Sequence, residues 1–357
     1  MKVVFCWWTF EGYFAACWRE LAGRAGMELS ILALAPDPQS LAPYDAAELD
    51  GLTVRLQSRG QLTDPDHLLK LIVAEKADVV VVPGIVNAAA LAVMRRPELA
   101  RVRVVMAWDT PWRSTWRQRL GRHVLIRRLA RIDHVVVAGE RAFQCVRRIG
   151  FPEHAITRGM YGIDAASLAP IARERLAQPA WPRAFGFVGR CVEEKGIADL
   201  AQAYAIYRRE VSDPWPLITW GRGPLKHLLD QAGADDRGFL PPRRLHAELS
   251  NIGAFVLASH FDPWPLALVE ACAAGLPIVC TEACGSAVEL IRPHHNGLIV
   301  PTGDSAGLAN ALSWMHEHPA DLPRMGQNSV TMAEPYSAAR WADRWSALLT
   351  DSVRGAA

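Results

Sequence analysis

The chain has 357 residues, half of them hydrophobic and 21% charged, with a formal net charge of +2. That length holds two or three domains, and the balance excludes a disordered chain and gives no electrostatic ground for nucleic-acid binding. Only five of the basic residues are lysine, so each lysine position stands out.

The N-terminus reads as a strand after one lysine, too short and without a cleavage site for a signal peptide. Apolar runs follow at 29–34, 52–56, 78–84, 102–108 and 134–139, then at 184–189, 216–221, 253–259, 276–280 and 297–302. They are rich in Val, Ile and Leu, bounded by Gly or Pro, and separated by helix-like segments. That pattern predicts parallel strands buried on both faces. The expected fold is α/β: two doubly wound, Rossmann-like parallel-sheet domains facing a cleft. Residues 1–165 form the expected N-terminal domain. Residues 166–183, with their prolines and no strand pattern, form the expected linker. Residues 184–334 form the expected C-terminal domain, and 335–357 a helix packing back on the N-terminal domain. The longest apolar region, 77–94, is broken by Asp78, Pro83 and Asn87, so no transmembrane helix is expected. Seven cysteines lack a Cys-x-x-Cys pair, which suits reduced thiols and a cytoplasmic location.

Open parallel sheets bind ligands beyond the carboxyl ends of their strands. The stretch 261–279 lies at such a place. Asp262 follows a strand and precedes Pro263 and Pro265. A helix is expected from about Pro265 to a C-cap at Gly275. It is apolar nearly all round except for Glu270, which is therefore expected to be a buried carboxylate, costly unless hydrogen-bonded. It pairs with a neighbouring loop, points to solvent at a helix end, or accepts two hydroxyls of a ligand, such as a ribose diol. Arg190 and Lys195 also follow a strand, where they form a phosphate site or a solvated pair beside Glu193 and Glu194.

These stretches resemble, in order, the motifs of retaining glycosyltransferase family 4, which has the glycosyltransferase B fold. Asp262 and Glu270 are spaced like its E-x7-E. Residues 187–196 resemble its F-x-G-R-x-x-x-x-K-G, 219–225 its glycine-rich turn, and 284–304 its G-G-x-x-E-x-I segment. The resemblance covers 184–312 well and the first half only in pattern. It implies transfer of a sugar from a nucleotide-diphosphate donor, of UDP or GDP type, with retention and by same-face attack. Arg190, Lys195, Asp262 and Asp109 are the implied catalytic residues. Glu270, Gly12, Gly189, Gly221, Trp264, Pro265, Leu266 and Glu289 are the implied donor contacts. Asp262 is one methylene shorter than the usual Glu, and Trp264-Pro265 replaces Phe-Gly. Trp108 stands where a sugar-binding histidine is usual, so Trp108 or Asp109 is considered in its place. For Gly12 an ordinary strand–helix turn remains open, and for Glu289 a structural role.

With two cations for the leaving diphosphate, no metal and no further cofactor is expected. The Asp-Pro-Asp at 64–66 reads as a turn. The expected acceptor is a glycan or lipid-linked glycan, in cell-surface polysaccharide or glycoconjugate synthesis. Alternatives are a non-catalytic nucleotide-sugar-binding partner subunit and a nucleotide-sugar epimerase. Residues 111–132 hold seven arginines and no acid. Trp112, Trp116, Leu120 and Val124 recur every four residues beside Arg113, Arg117, Arg119 and Arg122. This stripe either packs on the N-terminal sheet or meets an anionic membrane at the inner face.

Overall fold

The computed structural model describes residues 1–7, 12–36, 46–85 and 87–351. Among them, 1–162 and 338–351 form one compact unit and 163–337 a second.

The first unit is built on a seven-stranded sheet. Its strands are β1 (Lys2–Trp7), β2 (Glu28–Leu34), β3 (Val54–Gln57), β4 (Val79–Pro83), β5 (Arg103–Trp108), β6 (His134–Val137) and β7 (Ile156–Arg158), in the order β3-β2-β1-β4-β5-β6-β7. Every pairing is parallel. Val79 to Val82 in β4 are no more than 1% exposed, because helices cover both faces. Burying each such side chain is worth roughly 1.5–3 kcal/mol. The helix Ala338–Asp351 belongs to this unit and packs on the helix Gly12–Ala22. Trp341 and Trp345 are buried, and the Trp341 indole donates to Met160 O at 2.7 Å.

The second unit has a six-stranded sheet: β8 (Phe185–Val188), β9 (Leu217–Trp220), β10 (Asp235–Asp236), β11 (Ala254–Leu257), β12 (Ile278–Thr281) and β13 (Gly297–Val300). The order is β10-β9-β8-β11-β12-β13, again all parallel. Both sheets are therefore doubly wound. The order reverses between β1 and β4 in one and between β8 and β11 in the other, and each reversal leaves a crevice at the strands' carboxyl ends.

Residues 166–183 are not a linker. Ala165–Ala177 is a helix of the second unit, capped by the Asp164 carboxylate, which accepts from Ser167 N at 3.2 Å. It is tied down by Arg175, which is wholly buried and donates to Ala274 O, Ile252 O and Leu249 O. Trp181 continues the attachment, donating to Gly253 O at 2.8 Å. Pro170 sits inside the helix, which is why the sequence reads as broken there. The chain passes between units at 162/163 and returns at 337/338, where Ile163 N donates to Tyr336 O at 2.8 Å.

Candidate active site

The site is built where the second sheet reverses. Beyond β8 the chain runs through Gly189 and exposed Arg190 into a short 3-10 turn, Glu193–Lys195. Gly196 ends that turn at φ +63°, and a Cβ there would lie 1.9 Å from Ala258 O. Only glycine lets this loop press against the end of β11. His260 N and Phe261 N then both donate to Glu194 O, at 2.8 and 3.1 Å.

This clamp places the Lys195 ammonium directly on the Asp262 carboxylate. Both side chains are largely shielded, 17% and 11% exposed, so the pair is screened less than a surface pair. Arg190 lies five residues before Lys195 on the same loop and is exposed.

Neighbouring loops close in the same way. A Cβ on Gly221, just after β9, would lie 1.8 Å from Gly189 O. Cys191 N donates to Arg222 O at 2.7 Å. From the β12 side, Gly285 N donates to Asp262 O at 2.8 Å and the Ser286 hydroxyl to Pro265 O at 3.1 Å. Gly189, Arg190, Lys195, Gly221, Asp262, Trp264 and Pro265 are thus brought together at the ends of β8, β9 and β11.

The helix Leu266–Ala273 follows, with Pro265 at its N-cap and Gly275 at φ +75° beyond its end. Leu266 opens it. Leu268, Val269, Ala271, Cys272 and Ala273 are its buried residues. Glu270 is half-buried rather than fully buried, because its side of the helix faces away from that core. Glu289, in the short helix Ala287–Leu290, is half-buried as well.

In this region Trp220 Nε1, Ser259 Oγ and Trp264 Nε1 have no hydrogen-bond partner among the described residues. All three side chains are under 10% exposed. An unmet buried group costs roughly 1–3 kcal/mol.

Asp109 and Gly12 belong to the first unit. The Tyr161 hydroxyl donates to Asp109 Oδ2 at 3.0 Å. Trp108 is 4% exposed, and its indole donates to Thr110 O at 2.8 Å. It is a core residue. Gly12 opens its helix, while the turn before it, residues 8–11, lies outside the described residues. Asp64 and Asp66 form a helix start rather than a plain turn. The Asp64 carboxylate accepts from Asp66 N and His67 N, and Asp66 pairs with Arg96. No group of three or more His, Cys, Asp or Glu among the described residues is placed to hold a metal ion.

Sequence reasoning missed a supporting network. His260 pairs with Asp199, whose other oxygen accepts from the Ser305 hydroxyl at 3.1 Å. The available signal was the place of His260, three residues after β11.

Two doubly wound units with this arrangement define the glycosyltransferase B class of fold, and comparison with known proteins agrees. The chain superposes on HepE of Anabaena, solved with UDP, at TM-score 0.75 and 16% identity, covering 98% of this chain and all of that one. It superposes equally on a sucrose-phosphate synthase of Thermosynechococcus elongatus, at TM-score 0.75 and 16% identity over the full length of both.

Residues 170–332 match the family model "Glycosyl transferases group 1", a segment that contains all the site residues of the second unit. Among similar sequences is TuaC of Bacillus subtilis, described as a teichuronic acid biosynthesis glycosyltransferase. It is 34% identical over 146 residues, which is 41% of this chain and 36% of TuaC. The D-rhamnosyltransferase WbpZ of Pseudomonas aeruginosa is 28% identical over 232 residues, 59% of this chain and 57% of WbpZ. The chain thus covers less than two thirds of either relative.

Proposed function

We propose that the protein is a metal-independent, retaining glycosyltransferase of family 4. It would move a sugar from a UDP- or GDP-type donor to a glycan or lipid-linked acceptor in surface polysaccharide or glycoconjugate synthesis. The observation that carries this reading is the Lys195–Asp262 pair, locked at the reversal point of the sheet beside exposed Arg190, inside the matched segment.

The chemistry follows from charge. As the bond from the anomeric carbon to the diphosphate breaks, negative charge grows on the leaving oxygens. Arg190 supplies a planar fork of donors and Lys195 a point charge. Asp262 holds the ammonium in place, so little reorganisation is needed as charge develops. The acceptor oxygen bonds to the anomeric carbon on the same face, and its proton passes to the departing diphosphate. Glu270 accepts the ribose hydroxyls, with Glu289, Gly189, Gly221, Trp264, Pro265 and Leu266 forming the rest of the donor site. Asp109 and Gly12 serve from the first unit. A peripheral place at the inner face of a membrane belongs to the same proposal, and it rests on residues 111–132.

Transfer should persist in EDTA, and Arg190→Ala should lower turnover by roughly 100-fold or more. The assay follows release of nucleoside diphosphate and labelled product. Activity abolished by EDTA and restored by manganese would overturn the mechanism. One observation favours a second reading, a nucleotide-sugar-binding subunit without catalysis: buried Trp108 stands where the resemblance leads one to expect a histidine. In that case the assay shows neither transfer nor donor hydrolysis, while calorimetry still shows donor binding.

A further inference from the structure

The helix Trp116–Arg128 carries two apolar stripes on opposite sides. At about 100° per residue, Leu125, Ile126 and Leu129 share the inner side. Leu129 is 1% exposed, Leu125 and Ile126 are half-buried, and Ile126 lies against Gly150. Trp116, Leu120 and Val124 step along the outer side and are 68%, 70% and 55% exposed. The inner stripe already anchors the helix, so the outer one is not needed by the unit's core. Exposed Arg119 and Arg128 flank the outer stripe, and exposed Arg127 extends it toward the helix end. Further exposed cations join from neighbouring elements. The Arg148 guanidinium lies 5.8 Å from the Trp112 ring centroid, and Arg95 donates to Arg128 O at 2.7 Å.

We infer that this outer face docks on an anionic phospholipid bilayer. Trp116, Leu120 and Val124 enter the boundary between headgroups and acyl chains, and the arginines pair with lipid phosphates. Charge complementarity selects this occupant, because residues 111–132 hold seven arginines and no acid. A second copy docked on the same face would set arginine against arginine. Three side chains expose on the order of a few hundred Å², below the roughly 800 Å² per partner of a stable protein interface. A soluble polyanion would engage the arginines and leave the apolar stripe in water. The inference rests on the peripheral place proposed above, and the vesicle assay, which does not read transfer, can fail while the transfer reaction stands.

The test is co-sedimentation of the full chain with phosphatidylcholine vesicles, with and without phosphatidylglycerol. The expected result is binding only to vesicles containing phosphatidylglycerol, weakened by salt. Leu120→Ser with Val124→Ser should weaken it about tenfold or more, and Arg119→Gln with Arg128→Gln likewise. The four residues are exposed, so thermal midpoints should not move. Three results would each overturn the proposal: a wild type that ignores the anionic vesicles at low salt; Leu120→Ser/Val124→Ser binding as well as wild type, which is adsorption by charge alone; or self-association that those serines abolish, which makes the face a contact between copies.

Discussion

Arg175 shows how much one side chain can organise. It is wholly buried, and its guanidinium serves three backbone carbonyls, two at the start of the β11 approach and one at the end of the helix that carries Glu270. Burial lowers its pKa to about 10, still well above neutrality, so the charge persists inside. Removing it strands three acceptors. Arg175→Met should therefore destabilise the second unit by about 3 kcal/mol or more, at roughly 1–3 kcal/mol for each stranded carbonyl, read from urea unfolding. A change below about 1 kcal/mol would contradict this account. The residue was invisible in the sequence, where it sat in a stretch read as linker. Lys195 and Asp262 were legible as separate candidates, each just after a strand. Their direct contact was not, because it spans 67 residues and depends on glycine letting two loops touch.

At the scale of elements, β6 carries a pH-sensitive group. His134 is 9% exposed and shares a 2.9 Å hydrogen bond with Thr157 of β7. Burial, with Arg103 and His154 nearby, lowers its pKa from 6.5 to about 4. The folded chain therefore holds it neutral while the unfolded chain protonates it. Between pH 6.5 and 4 the unfolded state binds the extra proton, so stability falls as pH falls through that window. The thermal midpoint of the first unit should drop across it, and His134→Gln should flatten the drop. Identical pH profiles for the two proteins would rule this out.

The longer strands were readable from their continuous Val/Ile/Leu runs. The short edge strands β7 and β10 were not, since three and two residues containing Arg158, Asp235 and Asp236 carry no such run. In the helix Trp116–Arg128 the spacing showed a stripe but not which way it faced. The inner Leu125, Ile126 and Leu129 decided that through packing, and left the more conspicuous tryptophan side outside.

At the scale of the molecule, two doubly wound units each end in a loop-built carboxyl edge, and the chemistry is divided unequally between them. The second unit holds Arg190, the Lys195–Asp262 pair and the half-buried Glu270, and its motifs were legible because the phosphate chemistry proposed for it would demand particular residues at fixed offsets. The first unit holds Asp109, bonded by Tyr161, and few residue-level signals, as the proposed acceptor side would, having no such shared chemical core.

The central claim is that the second unit binds a nucleotide-diphosphate sugar through Lys195 and Glu270. Calorimetric titration of the full chain with UDP, GDP and their sugar derivatives tests it most directly. One nucleotide should bind without added metal, and Glu270→Gln, at an unchanged thermal midpoint, should weaken it about tenfold or more, the loss of a hydrogen bond to a charged group. Failure of every nucleoside diphosphate to bind, or undiminished affinity in Glu270→Gln, would contradict the account.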